Sequence, residues 1–133
     1  TLFRSYLLAS TLRTVVAQRL VRRLCESCKR PAVIGEREAA LLASIGAKPE
    51  AFEGHGCPAC SGSGYVGRIG LYECMVVDDE IRRLIHANAT EDAMAAHAFR
   101  SSERLFASGL ACVAAGVTSL SDVLRSAGAG EAA

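Results

Sequence analysis

Two closely spaced cysteine pairs constrain this chain more than any other feature of its sequence. Cys25 and Cys28 form the first CxxC pair, and Cys57 and Cys60 form the second. Because a CxxC turn directs two sulfur atoms to one point, two such turns supply the four thiolates of a tetrahedral structural zinc site. Four protein ligands leave no position open for a catalytic water. The sequence therefore predicts a structural Zn²⁺ centre held by these four cysteines.

The linker between the two pairs is unusually long. It covers residues 29–56, which is 28 residues, whereas common zinc ribbons use roughly 15–20. The linker must therefore hold structure of its own, and the pattern over residues 36–45 predicts a short helix closed by Gly46. His55 precedes the second pair and is a candidate substitute ligand, but with four cysteines present it is interpreted as a solvated loop residue.

Other uses of the cysteines stay open at this stage. A CxxC pair at a helix start can have a lowered thiol pKa and serve redox chemistry, although two matched pairs fit a thioredoxin-like site poorly. Disulfides are disfavoured because nothing marks the chain as secreted. Of the six cysteines, Cys74 and Cys112 stand alone in apolar patterns and are predicted to be buried structural thiols.

The composition argues against several classes of function. The formal net charge is +1 and aromatic residues make up 5% of the chain, so no nucleic-acid partner is expected. No apolar run approaches the roughly 18 residues that a membrane span needs. Six of the fifteen Lys and Arg residues fall between Arg13 and Arg30. They are interpreted as a solvated strand face, with a contact surface for phosphate or an acidic partner as the alternative.

We find no catalytic motif, and no catalytic or cofactor-binding residue is predicted. Residues 72–80 form an apolar strand pattern ending in acids, as in the magnesium-binding strand of an ATPase, but the phosphate-binding GxxxxGK[ST] loop is missing. An acid without that loop performs no phosphoryl chemistry. Asp78, Asp79 and Glu80 are therefore interpreted as the N-terminus of a helix.

Hydrophobic periodicity predicts an α+β fold. A helix is expected over residues 6–15, with an inward face of Leu7, Leu8, Leu12 and Val15 or Val16. A strand is expected to follow over residues 16–24. A second strand is expected over residues 67–77. Since the two strands flank the cysteine segment, we predict that they are antiparallel neighbours joined by the metal module.

The rest of the chain is predicted to be helical. Thr90 is positioned to cap a helix that runs to about residue 99, and a further helix runs from about Ser102 until Gly116 stops it. Ser119 and Asp122 resemble a capping box that opens a last short helix. Residues 128–133 are expected to fray.

These residues together resemble a known family. The segment AQRLVRRLC that ends at Cys25, the segment GYVGRIGLYE after Cys60, and the later segments VDDEIRRLI and AGVTSL resemble the C-terminal part of the type II secretion and type IV pilus assembly ATPases. The resemblance extends in order over nearly the whole chain. It identifies the chain as the C-terminal fragment of such an ATPase, with secretion and pilus assembly left undistinguished.

The resemblance implies more than the residues show by themselves. By this resemblance, the full-length protein would be a cytoplasmic homo-hexamer held at the inner membrane by its partners. It would use ATP hydrolysis to drive assembly of a pilus or pseudopilus. The family's tetracysteine insert binds zinc, projects from a RecA-like motor domain, and is placed to contact the inner-membrane platform protein or a neighbouring subunit. ATP and Mg²⁺ would bind only in the full-length protein, so this chain is expected to be inactive alone.

The resemblance divides the chain into segments. The predicted segments are foreign, adapter-derived residues 1–5, the motor edge 6–24, the zinc insertion 25–66, the returning motor strand 67–77, a helical C-terminal domain 78–127 and a tail 128–133. The chain departs from the family at residues 100–110, where a more polar segment is usual. The alternative functions are a free-standing zinc adaptor or chaperone-like binding module, and a thiol oxidoreductase.

Overall fold

A computed structural model describes residues 2–100 and 104–128, with side chains from residue 7 onward. It contains both helices and strands, with four consecutive helices after the last strand, in agreement with the predicted α+β class. The elements in chain order are α1 (Leu2–Thr11), β1 (Thr14–Leu24), β2 (Lys29–Pro31), α2 (Glu36–Ala43), β3 (Phe52–Gly54), β4 (Tyr65–Val76), α3 (Asp79–His86), α4 (Glu91–Ala98), α5 (Leu105–Ala114) and α6 (Leu120–Ala127). The helix start expected at Ser102 and the fraying of residues 129–133 lie outside the described residues.

The long strands β1 and β4 pair with each other, which confirms that they are neighbours. The cysteine segment therefore leaves at the end of one strand and returns at the start of the other. Within it, β2 and β3 form a separate antiparallel pair in which Lys29 lies opposite Gly54 and Pro31 lies opposite Phe52. The long linker holds structure of its own, as its length requires.

The chain divides into two compact units, each of which takes part of both long strands. Within the described residues, unit 1 comprises residues 2–17, 72–100 and Arg104, and unit 2 comprises residues 18–71 and 105–128. In unit 1, α3 packs against α1 and α4. In unit 2, α5 packs against α6 and α2. The helices expected to form one C-terminal bundle are thus divided between the units.

Unit 2 holds a continuous hydrophobic core. Helix α5 reaches α6 closely at Gly109, where a Cβ atom would lie 2.6 Å from Val123 Cγ1 and 3.2 Å from Leu71 Cδ1. The buried core consists of Val21, Leu42, Ala51, Leu71, Leu105, Phe106, Leu110, Val113, Leu120, Val123 and Ala127.

Unit 1 confirms the predicted helix caps but corrects the first helix. Asp78 accepts the backbone N–H of Ile81 at 2.9 Å, and Thr90 caps α4 in the same way. Helix α1 ends at Thr11 rather than near residue 15, because the β-branched run after Arg13 favours an extended strand.

The predicted inward face of the first helix is wrong at Leu7, Leu8, Val15 and Val16, which are exposed, whereas Leu12 is half-buried. Leu7 and Leu8 are 44% and 50% exposed, and Ala9 is the residue that is buried. About half of the surface of each leucine is therefore open to solvent. None of the helices in the described residues is both long enough and apolar enough to cross a bilayer.

Candidate metal centre

The first cysteine pair lies where β1 ends. Leu24 is buried in the strand, and Cys25 follows it directly. The chain then turns back, because the backbone N–H groups of Cys28 and Lys29 donate to the carbonyl of Cys25 at 3.4 and 2.9 Å. This tight turn places the two thiols of the pair side by side.

The second pair lies on a single turn of 3₁₀ helix, Pro58–Cys60. Cys57 precedes the turn in an extended conformation, and Pro58 fits the first helical position, where no N–H donor is needed. Gly64, at φ +82°, lies so close to Gly54 that a Cβ atom on Gly54 would be 2.2 Å from the Gly64 carbonyl oxygen. The glycines after the pair therefore let the chain fold tightly beneath the sulfurs.

The four predicted ligands come together in space. Their sulfur atoms all lie within 4.8 Å of one another. The measured pairs are Cys25–Cys57 at 3.7 Å, Cys28–Cys60 at 3.8 Å and Cys57–Cys60 at 3.8 Å. A zinc ion about 2.3 Å from each of four tetrahedral sulfurs would hold those sulfurs about 3.8 Å apart. The cluster therefore has the dimensions and the donor set of a tetrathiolate metal site.

Backbone N–H groups point at two of the sulfurs. Gly56 donates to Cys28 Sγ at 3.3 Å, while Cys57 and Gly64 donate to Cys60 Sγ at 3.2 and 3.1 Å. Burial opposes a charge on Cys60, but these N–H groups and the neighbouring thiols outweigh it and lower the pKa of Cys60 to about 6.

The partner thiols do not ionise together. Burial raises the pKa of Cys28 to about 11, and the adjacent thiols add to this effect despite the N–H group of Gly56. Ionisation of Cys60 is thus favoured, whereas ionisation of the neighbouring Cys28 is opposed. A bound cation removes that opposition, so binding a metal would release protons.

Other candidate residues lie outside the cluster. Within the described part of the chain, the four cysteines are the one group of His, Cys, Asp and Glu side chains with ligand atoms this close, and His55 is not part of it. Cys74 and Cys112 are half-buried rather than fully buried. The His97 side chain contacts Asp78, with Nε2 and Oδ2 2.7 Å apart.

Sequence analysis missed the contacts around Tyr65. The guanidinium of Arg22 lies over its ring, 4.0 Å from the ring centroid. Its hydroxyl lies 2.6 Å from Ser119 Oγ. No local pattern signals a contact between residues so distant in the sequence.

The capping box is half formed. Ser119 Oγ accepts the backbone N–H of Asp122 at 3.2 Å, as predicted. The Asp122 carboxylate does not return to the cap. It accepts the backbone N–H of Arg22 at 2.6 Å and binds the guanidinium groups of Arg22 and Arg125. The buried acid therefore serves a tertiary contact instead of a local one.

Comparison with known proteins agrees with the resemblance. The model of the type II/IV secretion system protein family matches residues 3–125. The chain is 43% identical over 121 residues to type II secretion system protein E of Pseudomonas aeruginosa, covering 90% of this chain and 24% of that protein. It is 40% identical over 121 residues to type II secretion system ATPase E of Vibrio cholerae, with the same coverage.

A pilus protein matches as closely. The chain is 40% identical over 131 residues to type IV pilus assembly ATPase PilB of Acinetobacter baylyi, covering 91% of this chain and 22% of that protein. The chain thus spans about a quarter of the length of the curated relatives it matches.

Proposed function

The chain belongs to the type II/IV secretion system protein family, and from this premise we propose that it forms the zinc-bearing C-terminal region of an ATPase that powers type II secretion or type IV pilus assembly. The match over residues 3–125 carries the proposal. Relatives named as ATPases of both systems match equally well. Because the chain contains no phosphate-binding loop, ATP and Mg²⁺ would bind elsewhere in a longer protein.

Zinc is the metal we propose for the cysteine cluster. Four thiolates at tetrahedral spacing are the donor set that structural zinc takes, and they leave no open position for catalysis. Cys25, Cys28, Cys57 and Cys60 would hold the ion. When bound, Zn²⁺ would supply a structural cross-link between two turns that lie far apart in the sequence.

Exposed apolar side chains support the proposal of a larger motor. A region that packs on a motor sheet is expected to leave apolar surface on residues 6–24 and 67–77. Both segments carry it. The exposed residues are Leu7, Leu8, Val15, Val16, Leu20, Tyr72 and Val76. We propose that the RecA-like motor sheet covers them.

The assembly follows from the same premise. The proposed motor is a cytoplasmic homo-hexamer, held at the inner membrane through its partners. The zinc insertion, residues 25–66, would contact the platform protein or a neighbouring subunit. The chain itself would contribute these contacts and no catalytic group.

A pair of chimeras tests the proposed function. This chain would replace the matching quarter of ATPase E of Vibrio cholerae and, separately, of PilB of Acinetobacter baylyi. We expect each chimera to hydrolyse ATP, and the one that restores secretion or piliation identifies the system. A Cys57→Ser chimera is the matched control and should restore neither secretion nor piliation. Folded chimeras that neither hydrolyse ATP nor restore either process would overturn the proposal.

The metal is tested separately from the motor. Protein purified without added metal would be analysed for zinc, with thiols counted before and after chelation. We expect one zinc per chain and four thiols released. Metal-free protein with readily oxidised pairs would favour the thiol oxidoreductase. A stable, soluble monomer that binds zinc but supports no chimera would favour the adaptor.

A further inference from the structure

One short segment of unit 2 contacts the flanks of both cysteine pairs. It joins α5 to α6 and covers residues 116–122, which we call the clamp. Three of its side chains are almost completely buried although they are polar. They are Thr118, Ser119 and Asp122. Buried polar groups almost always have hydrogen-bond partners. Several of the partners of the clamp lie next to the two cysteine pairs.

The clamp contacts the chain on both sides of the first pair. Before the pair, Thr118 Oγ1 donates to the carbonyl of Arg22 at 2.7 Å, and the N–H of Leu24 donates to the carbonyl of Val117 at 2.8 Å. After the pair, Lys29 Nζ donates to the carbonyl of Gly116 at 3.0 Å. The two ends of the first turn are therefore held by consecutive clamp residues.

The clamp also holds the exit of the second pair. The hydroxyls of Ser119 and Tyr65 lie 2.6 Å apart. Next to Tyr65, the carbonyl of Gly64 accepts the N–H of Cys25 at 2.9 Å, which links the two turns directly. The same Gly64 donates its N–H to Cys60 Sγ at 3.1 Å. Hydrogen bonds and the adjoining backbone thus connect the clamp with the Cys60 sulfur of the second pair and with the backbone of Cys25 in the first.

We infer that the clamp positions the four thiolates for the metal, with Thr118 as the central positioning residue. This inference rests on the proposed metal site. The clamp touches no sulfur, so it would act by fixing the two turns at tetrahedral spacing before the metal binds. Groups that orient ligands in this way commonly change metal affinity about 10–100-fold when they are removed. The position of α6 and the retention of the metal would therefore be coupled.

Zinc release from the full chain tests the inference. Zinc-loaded protein would be mixed with excess chromophoric chelator, and the release rate would be followed by absorbance. We expect Thr118→Val to release zinc about 10-fold faster than the unmodified chain. Thr118→Ser keeps the hydroxyl donor and should restore slow release. In a parallel Co²⁺-loaded sample, Thr118→Val should alter the ligand-field spectrum, which a loss of stability alone would not do.

Two further variants complete the experiment. Tyr65→Phe removes one clamp contact while it keeps the ring, so it provides a mild variant if Thr118→Val does not fold. It should release zinc faster than the unmodified chain. Asp78→Asn alters a helix cap in unit 1 and should leave release unchanged.

Three results would overturn the inference. In the first, clamp variants release zinc as slowly as the unmodified chain. In the second, Thr118→Ser and Asp78→Asn release it as fast as Thr118→Val, so that the effect is general instability. In the third, the unmodified chain binds no metal, which also overturns the proposed zinc site. The first two leave that site standing.

Discussion

Unit 1 and unit 2 share two strands but satisfy their apolar residues in different ways. Unit 2 closes its own core, in which the helices α5 and α6 pack with Leu42 and Ala51 from the segment between the cysteine pairs. In the described part of unit 1, the buried hydrophobic residues are Ala9, Val77 and Ile81, while larger ones stay exposed. The described part of unit 1 therefore buries little apolar surface by itself, whereas unit 2 has a continuous core and still leaves Leu20, Val33 and Val66 exposed.

The difference also separates two ways of placing polar groups. In unit 2, Asp122 is 1% exposed and is held by donors on another element. In unit 1, Asp78 is half-exposed and caps its own helix, with His97 as its added partner. Substitutions in the two units should therefore differ in size, and the predictions below test this difference from the largest effect to the smallest.

Loss of one cysteine ligand should have the largest effect. We expect Cys57→Ser to lose the metal and to unfold residues 25–66, because structural zinc contributes about 10–16 kcal/mol in zinc-finger peptides. Hydrogen exchange would show lost protection in that segment, while α3 in unit 1 keeps its protection. Cys74→Ser, outside the cluster, is the control and should retain the metal. Stoichiometric zinc and native protease resistance in Cys57→Ser would contradict this prediction.

Truncation of a buried core side chain should show how much packing stabilises unit 2. Leu110 is 2% exposed in α5, so Leu110→Ala should lower the free energy of unfolding by about 2–5 kcal/mol. Leu8 in α1 is 50% exposed, and Leu8→Ala should change the free energy of unfolding by less than about 0.5 kcal/mol. Chemical denaturation of both variants measures the contrast. Equal losses would show that α1 is packed as tightly as α5.

Replacement of Asp122 should have a pH-dependent effect. Burial opposes its charge, but the N–H of Arg22, the guanidinium of Arg125 and the guanidinium of Arg22 outweigh burial and hold the pKa of Asp122 below its ordinary value. The stability that the carboxylate contributes is therefore present above its unfolded-state pKa of about 4 and is lost as the pH falls through the lower folded-state pKa.

We accordingly expect Asp122→Asn to be less stable than the unmodified chain by about 1–3 kcal/mol at pH 7. The loss is limited to this size because both guanidinium partners are partly exposed to solvent. The deficit should narrow as the pH falls below about 4. Urea denaturation at several pH values measures both quantities. A deficit that stays constant down to low pH would show that the charge of Asp122 contributes nothing.

The corresponding change in unit 1 should be the smallest. Hydrogen bonds from His97 and from the N–H of Ile81 lower the pKa of Asp78. Because the pair is partly exposed, His97→Gln should lower the free energy of unfolding only slightly. It should also raise the pKa of Asp78 toward its ordinary value, which an NMR titration of the carboxyl carbon would show. An unchanged pKa would mean that the two side chains do not pair in solution.

Local patterns allowed much of the fold to be predicted. Asp78 and Thr90 cap their helices through their own side chains, and the β-rich segments on either side of the cysteines pair as neighbouring strands. The inward face of α1 was predicted wrongly. Periodicity identifies an apolar stripe that includes Leu7 and Leu8, but it does not show which surface, if any, covers that stripe.

The sequence by itself determined each cysteine pair, because the CxxC spacing places two sulfurs together through local turn geometry alone. It also determined the family, through segments that resemble known relatives. Only the tertiary structure decided how the clamp holds the two turns, since Arg22 and Asp122 meet across many intervening residues and no local periodicity records such a contact. It also decided that α5 and α6 share a core with the cysteine segment, because close packing at Gly109 depends on which surfaces meet.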